Sequence, residues 1–301
     1  MKPSARALGG HLMVAVAALL WSTVGLFGRW LGGQGMAPLE MTFWRALVMV
    51  VLSGLYLALA RPSLLRLRLA DLPGLALYGA ASVGLFQLSY FWAIKLNTVA
   101  LAAILLYTAP FYVVLLAIPF LGERLGGRTV AGLLLAFLGL LLVTVVFGGG
   151  GRVTAAGILA GLIAGFTYAT LSLGGKRLVR RHQPLTLSFY SFVFGLFFLS
   201  LFSPLRLSQV SRYSAFTWLL ILGVGVLPTL LAYLFYYHAL TRIHASAASI
   251  TANLEPVAAS LLGYLVLGET LTGVQVVGAG LVIAAVTLIN LSASVSTHEE
   301  M

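Results

Sequence analysis

Long apolar runs dominate the hydrophobicity pattern of this chain, and short segments between them carry most of its prolines, glycines and charges. Each run has about the 20 residues that a helix needs to cross the ~30 Å hydrocarbon core of a bilayer. The pattern therefore predicts an all-α, polytopic membrane protein with ten transmembrane helices and no soluble domain. The predicted spans are residues 11–31, 37–60, 72–94, 98–120, 127–147, 156–176, 184–203, 214–238, 245–267 and 273–292. The polar end of the chain, Ser292 to Met301, is expected to be disordered.

The first apolar run could belong to a signal peptide or to a membrane helix, because Lys2 and Arg6 precede it. It continues through Trp21 to Trp30 without a clear small-residue cleavage site, and a similar segment opens the second half of the chain. We therefore expect this run to be a membrane helix.

The sequence repeats itself at a single offset of 146 residues, without a gap. The matched features are Pro110 with Pro256, Leu121-Gly122-Glu123 with Leu267-Gly268-Glu269, and Pro38-Leu39 with Pro184-Leu185. Chance alignment of leucine-rich helices is the alternative, but it explains the paired prolines and Gly-Glu pairs poorly. The two predicted halves, residues 1–150 and 151–301, contain five helices each. Because five is odd, the second half enters the membrane from the opposite face, giving an inverted repeat that is typical of secondary transporters.

Composition and charge support the membrane interpretation. Hydrophobic residues are 60% and charged residues 8% of the chain, whereas soluble domains contain roughly 25% charged residues. The net charge of +11 lies mainly in short loops, so it reports topology, and no nucleic-acid partner is expected. With the amino terminus in the cytoplasm, twelve lysines and arginines fall on the cytoplasmic side and five on the other. This excess predicts that both termini are cytoplasmic.

Few residues in the chain are suited to catalysis. There is no cysteine, and only seven acidic residues and five histidines are present. The sequence contains no His-Glu-x-x-His motif, no Gly-x-Ser-x-Gly motif and no P-loop. We therefore expect a transport protein without a catalytic residue, metal or cofactor. A channel is a further alternative, although no ring of charge or repeated filter loop is visible.

Several motifs resemble those of the drug/metabolite transporter superfamily, specifically the ten-helix type with two EamA domains. They are Phe43-Trp44-Arg45, Pro110 with Leu121-Gly122-Glu123-Arg124, Leu254-Glu255-Pro256-Val257, and Leu267-Gly268-Glu269. The resemblance covers essentially the whole chain, and its motifs are specific for the superfamily but weak for the substrate. Length and aromatic content are most similar to the bacterial exporters of aromatic amino acids.

The resemblance implies an inner-membrane permease that exports small metabolites, with aromatic or other neutral amino acids as the first expectation. Another small metabolite or a cationic aromatic drug is the alternative. The expected partners are the small-molecule substrate and the lipid bilayer, and the expected state is a monomer.

A set of mostly aromatic residues lies near the predicted bilayer midplane, where the binding sites of transporters are found. The candidate substrate-binding residues are Trp21, Tyr107, Tyr168, Asn253 and Glu255, extended by Tyr78, Phe86, Tyr90 and Tyr233. Each aromatic contact would contribute roughly 0.5–1.5 kcal/mol beyond burial for an aromatic substrate. Helix packing is the alternative role for each aromatic. For Tyr236-Tyr237 and Phe91-Trp92, we predict an interfacial belt.

Pro110 and Pro256 are the candidate hinge or gating residues. Each should kink its helix and leave one backbone carbonyl without its usual partner. Paired positions in the repeat favour a mechanical role, although proline is also common in membrane helices.

Glu255 is the most informative charged residue, because an ionised carboxylate at the centre of a membrane helix costs about 2.5–3.5 kcal/mol. It could couple transport to protons, bind a substrate amino group, or hydrogen-bond the backbone freed by Pro256. Arg45 could attract a substrate carboxylate, but we expect it to snorkel to the surface or form a structural pair. Glu123 and Glu269 are expected to stabilise loops.

Overall fold

The computed structural model describes residues 5–124, 126–145, 153–202 and 213–292, and all regular secondary structure within these ranges is helical. The predicted all-α class is therefore confirmed. Eight helices are long and apolar enough to cross a membrane: α1 (Ala5–Gly33), α2 (Pro38–Ala60), α3 (Leu69–Leu96), α4 (Val99–Leu121), α5 (Gly127–Val145), α6 (Ala155–Leu178), α8 (Ala215–Leu240) and α9 (Ala245–Leu267).

Two further helices are apolar but have fewer than 18 fully described residues: α7 (Pro184–Ser200) and α10 (Gly273–Ser292). Every predicted span overlaps one of the ten helices, while the crossing of the membrane by α7 and α10 stays a prediction. Beyond Ser292, the predicted polar tail lies outside the described residues.

Interruptions recur in pairs along the bundle. Two π-helical stretches, Ala80–Leu85 in α3 and Val226–Leu231 in α8, start 146 residues apart. Helix α4 is broken by a turn at residues 107–108, and α9 is broken at residues 252–253. Gly122 and Gly268, which end these two helices, both adopt the left-handed conformation, with φ of 70° and 69°. The two breaks thus divide α4 and α9 into a short first segment and a longer second one.

The prolines of α4 and α9 stand just after these breaks. Pro110 is the second residue of the segment Ala109–Leu121, and Pro256 is the third residue of Leu254–Leu267. Proline is well tolerated there, because the first amides of a helix have no intrahelical partner. The prediction of a freed carbonyl is wrong for Pro256, since the Ala252 carbonyl accepts from the Glu255 amide at 2.9 Å. A hinge role for both prolines stays a prediction.

Contacts between helix ends define two faces of the bundle. At the first, which we call the Glu123 face, Glu123 after α4 hydrogen-bonds the start of α9, and Lys176 near the end of α6 donates to the carbonyls of Leu240 and Ile243. At the second, the Arg29 face, Arg29 near the end of α1 pairs with Glu269 after α9.

Helices α5 and α10 pack very closely against each other. A Cβ atom added at Gly139 would lie 2.6 Å from the Gly278 carbonyl oxygen, and one added at Gly278 would lie 2.6 Å from the Gly139 carbonyl oxygen. Small residues allow such approach in lipid, where apolar burial gives no driving force between helices. Neither helix contributes to the cavity described next.

Candidate functional site

A cavity of about 260 Å³ lies between α1, α2, α3, α4, α6, α8 and α9. Seven of the predicted site residues line it: Trp21, Phe86, Tyr90, Tyr107, Tyr168, Tyr233 and Glu255. The other lining residues are Ser22, Val24, Gly25, Arg45, Gln87, Leu106 and Ala259. Its volume is close to the lower end of the roughly 300–1,000 Å³ typical of ligand pockets, so it is suited to a small molecule.

The cavity extends from the middle of the bundle toward the Arg29 face. Val24 and Gly25 lie in the part of α1 that leads to Arg29, and Ala259 lies in the part of α9 that leads to Glu269. Because these parts of α1 and α9 lead to the Arg29 face, this part of the lining lies away from Glu123.

Aromatic rings form much of the cavity wall and support one another. The Phe86 ring lies 4.9 Å from that of Tyr168 and 6.2 Å from that of Tyr90, measured between centroids. Trp21 meets Tyr233 edge to face at 5.5 Å. Rings held by neighbouring rings can offer a ligand their faces and edges at little entropic cost.

Two predicted site residues do not line the cavity. Tyr78 is buried, and its hydroxyl donates to the Tyr237 hydroxyl at 2.9 Å and lies 3.1 Å from the Leu171 carbonyl oxygen. Asn253 is buried at the break in α9. Both residues therefore belong to helices that surround the cavity, but neither is among the residues that line it.

Arg45 lines the cavity, although the sequence predicts that it snorkels to the surface or forms a structural pair. Its side chain is buried, with only 7% of the residue exposed, so the expectation that it snorkels to the surface is wrong. It interacts electrostatically with Glu255 and Tyr233. The positive charge of Arg45 could have predicted this inward position, since a guanidinium within a membrane span usually faces the protein interior or a water-filled cavity.

Neither charged group in the cavity has a close partner. Among the described residues, no hydrogen bond or ion pair within 4.0 Å involves the side chain of Arg45 or Glu255. The backbone near Pro256 is satisfied by main-chain atoms, so it does not occupy the Glu255 carboxylate. The cavity thus contains an opposite-charge pair with free hydrogen-bonding capacity.

A layer of tyrosines lies between the cavity and the Glu123 face. Tyr236 and Tyr237 are 1% and 0% exposed, so the predicted interfacial belt position is wrong for both. Their hydroxyls are satisfied internally, by Ser172 at 2.5 Å for Tyr236 and by Tyr78 for Tyr237. Trp92, by contrast, is exposed, and the Lys95 ammonium lies 4.7 Å from its ring centroid, as in a belt residue.

Glu123 joins α4 to the start of α9 at the Glu123 face. Its carboxylate accepts from the amides of Ala245 at 2.6 Å and Ser246 at 3.2 Å, and from the Ser246 hydroxyl at 2.6 Å. Burial alone would raise the pKa of this carboxyl, but the contacts with His244, Ser246 and Ala245 outweigh burial and lower it below its usual value. Glu123 therefore does more than stabilise a loop, because it caps the amino terminus of a cavity helix.

The chain matches the model of the EamA-like transporter family over residues 8–145 and 155–291. It is similar to an uncharacterized transporter of Archaeoglobus fulgidus, with 31% identity over 282 residues that cover 93% of this chain and 95% of the relative. A protein of Streptantibioticus cattleyicolor named a probable terminal-alkyne amino-acid exporter is 27% identical over 89% of this chain and 86% of its own length. A threonine/homoserine exporter of Escherichia coli is 30% identical over 67% of each chain.

A solved crystal structure has the same fold. The alignment covers 94% of this chain and 97% of that chain, with a TM-score of 0.77. At 22% sequence identity this likeness concerns the fold alone.

Proposed function

Since this chain belongs to the EamA-like transporter family, we propose that it is a secondary transporter that exports small metabolites, amino acids first among them, by alternating access. It is a multi-pass membrane transporter and not an enzyme. The substrate, the direction of transport and the mechanism are the proposed part.

The observation that carries the proposal is the cavity, which combines an aromatic wall with Arg45 and Glu255. Its size is suited to a ligand as small as an amino acid, and its polar groups can bind the charged groups that amino acids share. Two relatives named as amino-acid exporters support this substrate class.

In many secondary transporters, two similar halves that exchange conformations produce alternating access. We propose that all ten helices cross the membrane as a five-plus-five inverted repeat, with halves at residues 1–150 and 151–301. Support comes from the paired π-helical stretches and the paired left-handed glycines, which recur 146 residues apart. The breaks beside Pro110 and Pro256 are the places where α4 and α9 could bend.

We propose that the protein lies in the bacterial inner (plasma) membrane, as a monomer with both termini in the cytoplasm. The excess of lysine and arginine in the segments on that side supports this orientation. It makes the Glu123 face cytoplasmic, so the cavity extends toward the outside.

A cationic aromatic drug is the second candidate substrate, since Glu255 and the aromatic wall would suit a cation as well. A channel is a weaker alternative, because the sequence shows no ring of charge or repeated filter loop. Counterflow separates the two, since the outflow of unlabelled substrate drives accumulation of labelled substrate through a carrier but not through a pore.

Counterflow in proteoliposomes tests these functions. Purified protein is reconstituted with each of phenylalanine, tyrosine, tryptophan, threonine and lysine inside, and uptake of the labelled amino acid is compared with that in protein-free vesicles; a cationic dye serves as competitor. We expect saturable uptake of at least one aromatic or other neutral amino acid. The proposal is overturned if no neutral amino acid is taken up or competes.

A further inference from the structure

The cavity contains two groups of opposite charge, the buried Arg45 and the partly buried Glu255, that do not satisfy each other. Arg45 and Glu255 both line it, yet their charged atoms are farther apart than the 4.0 Å of an ion pair. Charges inside a membrane protein are costly unless they are paired or hydrogen-bonded. Because both groups line the same cavity without contacting each other, a third group could satisfy both of them there.

The two charges are also presented by different parts of the molecule. Arg45 belongs to α2, whereas Glu255 lies in the first turn of the second segment of α9. The aromatic residues Tyr107 and Tyr168 reach the same cavity from α4 and α6. A ligand in this space would meet a cation, an anion and an aromatic wall at once.

We infer that the substrate must be a zwitterion, with one carboxylate and one ammonium group on the same small molecule. Its carboxylate accepts two hydrogen bonds from the planar guanidinium fork of Arg45, and its ammonium donates to the Glu255 carboxylate. Its side chain contacts the aromatic wall. This inference rests on the proposed function and narrows it, because it excludes simple amines, cationic dyes and simple carboxylic acids.

Arg45 thereby becomes the residue that separates amino acids from amines. A ligand without a carboxylate would leave the buried guanidinium without a hydrogen-bond partner, and a site of this kind rejects such ligands strongly. We expect rejection of the amine by about 10- to 100-fold, the range that one unsatisfied buried group produces.

The experiment compares each amino acid with its two one-charge analogues as competitors of its own counterflow. L-Phenylalanine is compared with phenethylamine and 3-phenylpropionate, and L-threonine with 1-amino-2-propanol and 3-hydroxybutyrate. For the wild-type protein we expect the amino acid to compete about 10- to 100-fold better than either analogue.

Substitutions of Arg45 and Glu255 then test which charged group of the substrate each residue binds. Arg45→Gln should lose the preference for the amino acid over the amine, while Glu255→Gln should lose the preference over the deaminated acid. Arg45→Lys, which keeps the charge but not the planar fork, should retain part of the preference. A merely structural role would weaken all competitors alike and leave their ratios unchanged. Size-exclusion profiles of the purified variants show whether they are folded, and Arg45→Lys provides the test if Arg45→Gln is not.

The outcomes distinguish a failure of the zwitterion inference from a failure of the proposed transport function. If the amino acid undergoes counterflow but its amine competes equally well, the inference is overturned and the transport function stands. If neither phenylalanine nor threonine nor any other neutral amino acid undergoes counterflow, the proposed function fails, and the inference fails with it.

Discussion

At the scale of single residues, the role of Glu255 can be tested through pH. An ionised carboxylate is needed to attract a substrate ammonium, so transport should fall as acidification protonates Glu255. The other groups that interact electrostatically with Glu255 do not change charge in the acidic range; they are Arg45, Tyr90, Tyr107, Tyr168 and Tyr233. We expect Glu255→Gln to show a weaker but pH-independent transport rate. A pH profile like that of the wild type would contradict this role.

The aromatic wall gives a second prediction at this scale. Tyr107 lines the cavity, whereas Tyr264 is 51% exposed on the outer surface of α9. Tyr107→Ala should raise the KM of an aromatic amino acid roughly two- to tenfold, the equivalent of one ring contact of about 0.5–1.5 kcal/mol. Tyr264→Ala is the matched control and should leave the KM unchanged. Equal effects of the two substitutions on KM in counterflow would refute a binding role for Tyr107.

Residue type and depth along a helix are sufficient to identify half of the cavity lining, seven residues of fourteen, but not the direction in which a side chain points. Tyr236 and Tyr237 have the composition of a membrane belt, and only the packing of α8 against its neighbours shows that they are fully buried. Arg45 was misassigned for the related reason that snorkelling and inward burial have the same sequence signature. Side-chain direction depends on helix rotation, which neighbouring helices determine.

At the scale of helices, α4 and α9 match in their breaks but differ at their ends. Glu123 caps the start of α9, whereas Glu269, at the matching position, pairs with Arg29 at 2.9 Å on the surface. The corresponding first turn of α4 is capped by the side chain of Thr98, which accepts from the Leu101 amide. The repeat is therefore similar in sequence and unequal in its contacts.

This difference predicts unequal effects on stability. The lowered pKa of Glu123 means that its ionised form stabilises the fold at neutral pH and that this contribution is lost as the pH falls through the folded-state pKa. Glu123→Gln should lower the Tm at pH 7 and reduce the further loss of Tm on acidification. Glu269→Gln should have little effect, since exposed ion pairs contribute about 0–1 kcal/mol. Thermal unfolding of the detergent-solubilised proteins measures both, and equal shifts would contradict the assigned role.

The sequence identified where α4 and α9 would be irregular, but not how. Pro110 and Pro256 predict a disturbance, and the structure has one at each position. Proline is compatible both with a kink in a continuous helix and with a break that is followed by a new helical segment. The choice depends on turn contacts such as the one between the Glu255 amide and the Ala252 carbonyl, which have no composition signal.

At the scale of the whole molecule, α5 and α10 join the first half of the chain to the second outside the cavity. Gly139→Ala should destabilise the protein, because the added methyl group would meet the backbone of α10 at 2.6 Å. Gly280→Ala is the control, since nothing lies within 4 Å of a Cβ atom at that position in α10. We expect a lower Tm for Gly139→Ala and an unchanged or slightly higher Tm for Gly280→Ala. The same Tm for both variants would show that this contact tolerates a shift.

The sequence was most informative at this largest scale. Apolar runs and the 146-residue offset are sufficient to predict the helical class and the paired irregularities. Large patterns sum many weak signals along the chain, so single errors cancel. The asymmetry between the two faces is not predicted in this way, because it depends on which individual side chains meet at each helix end.

That asymmetry has a kinetic consequence. The cavity extends toward the Arg29 face, whereas the buried Tyr236 and Tyr237 and the hydrogen bonds of Glu123 and Lys176 lie on the side of the Glu123 face. A molecule in this conformation would be loaded from the compartment next to the Arg29 face. For an exporter in the proposed orientation, that compartment is the destination, so each cycle of net efflux includes an empty return from the state described here. External substrate would bind this conformation and accelerate its return to the inward-facing one. We therefore expect exchange of substrate across the membrane to be faster than net efflux.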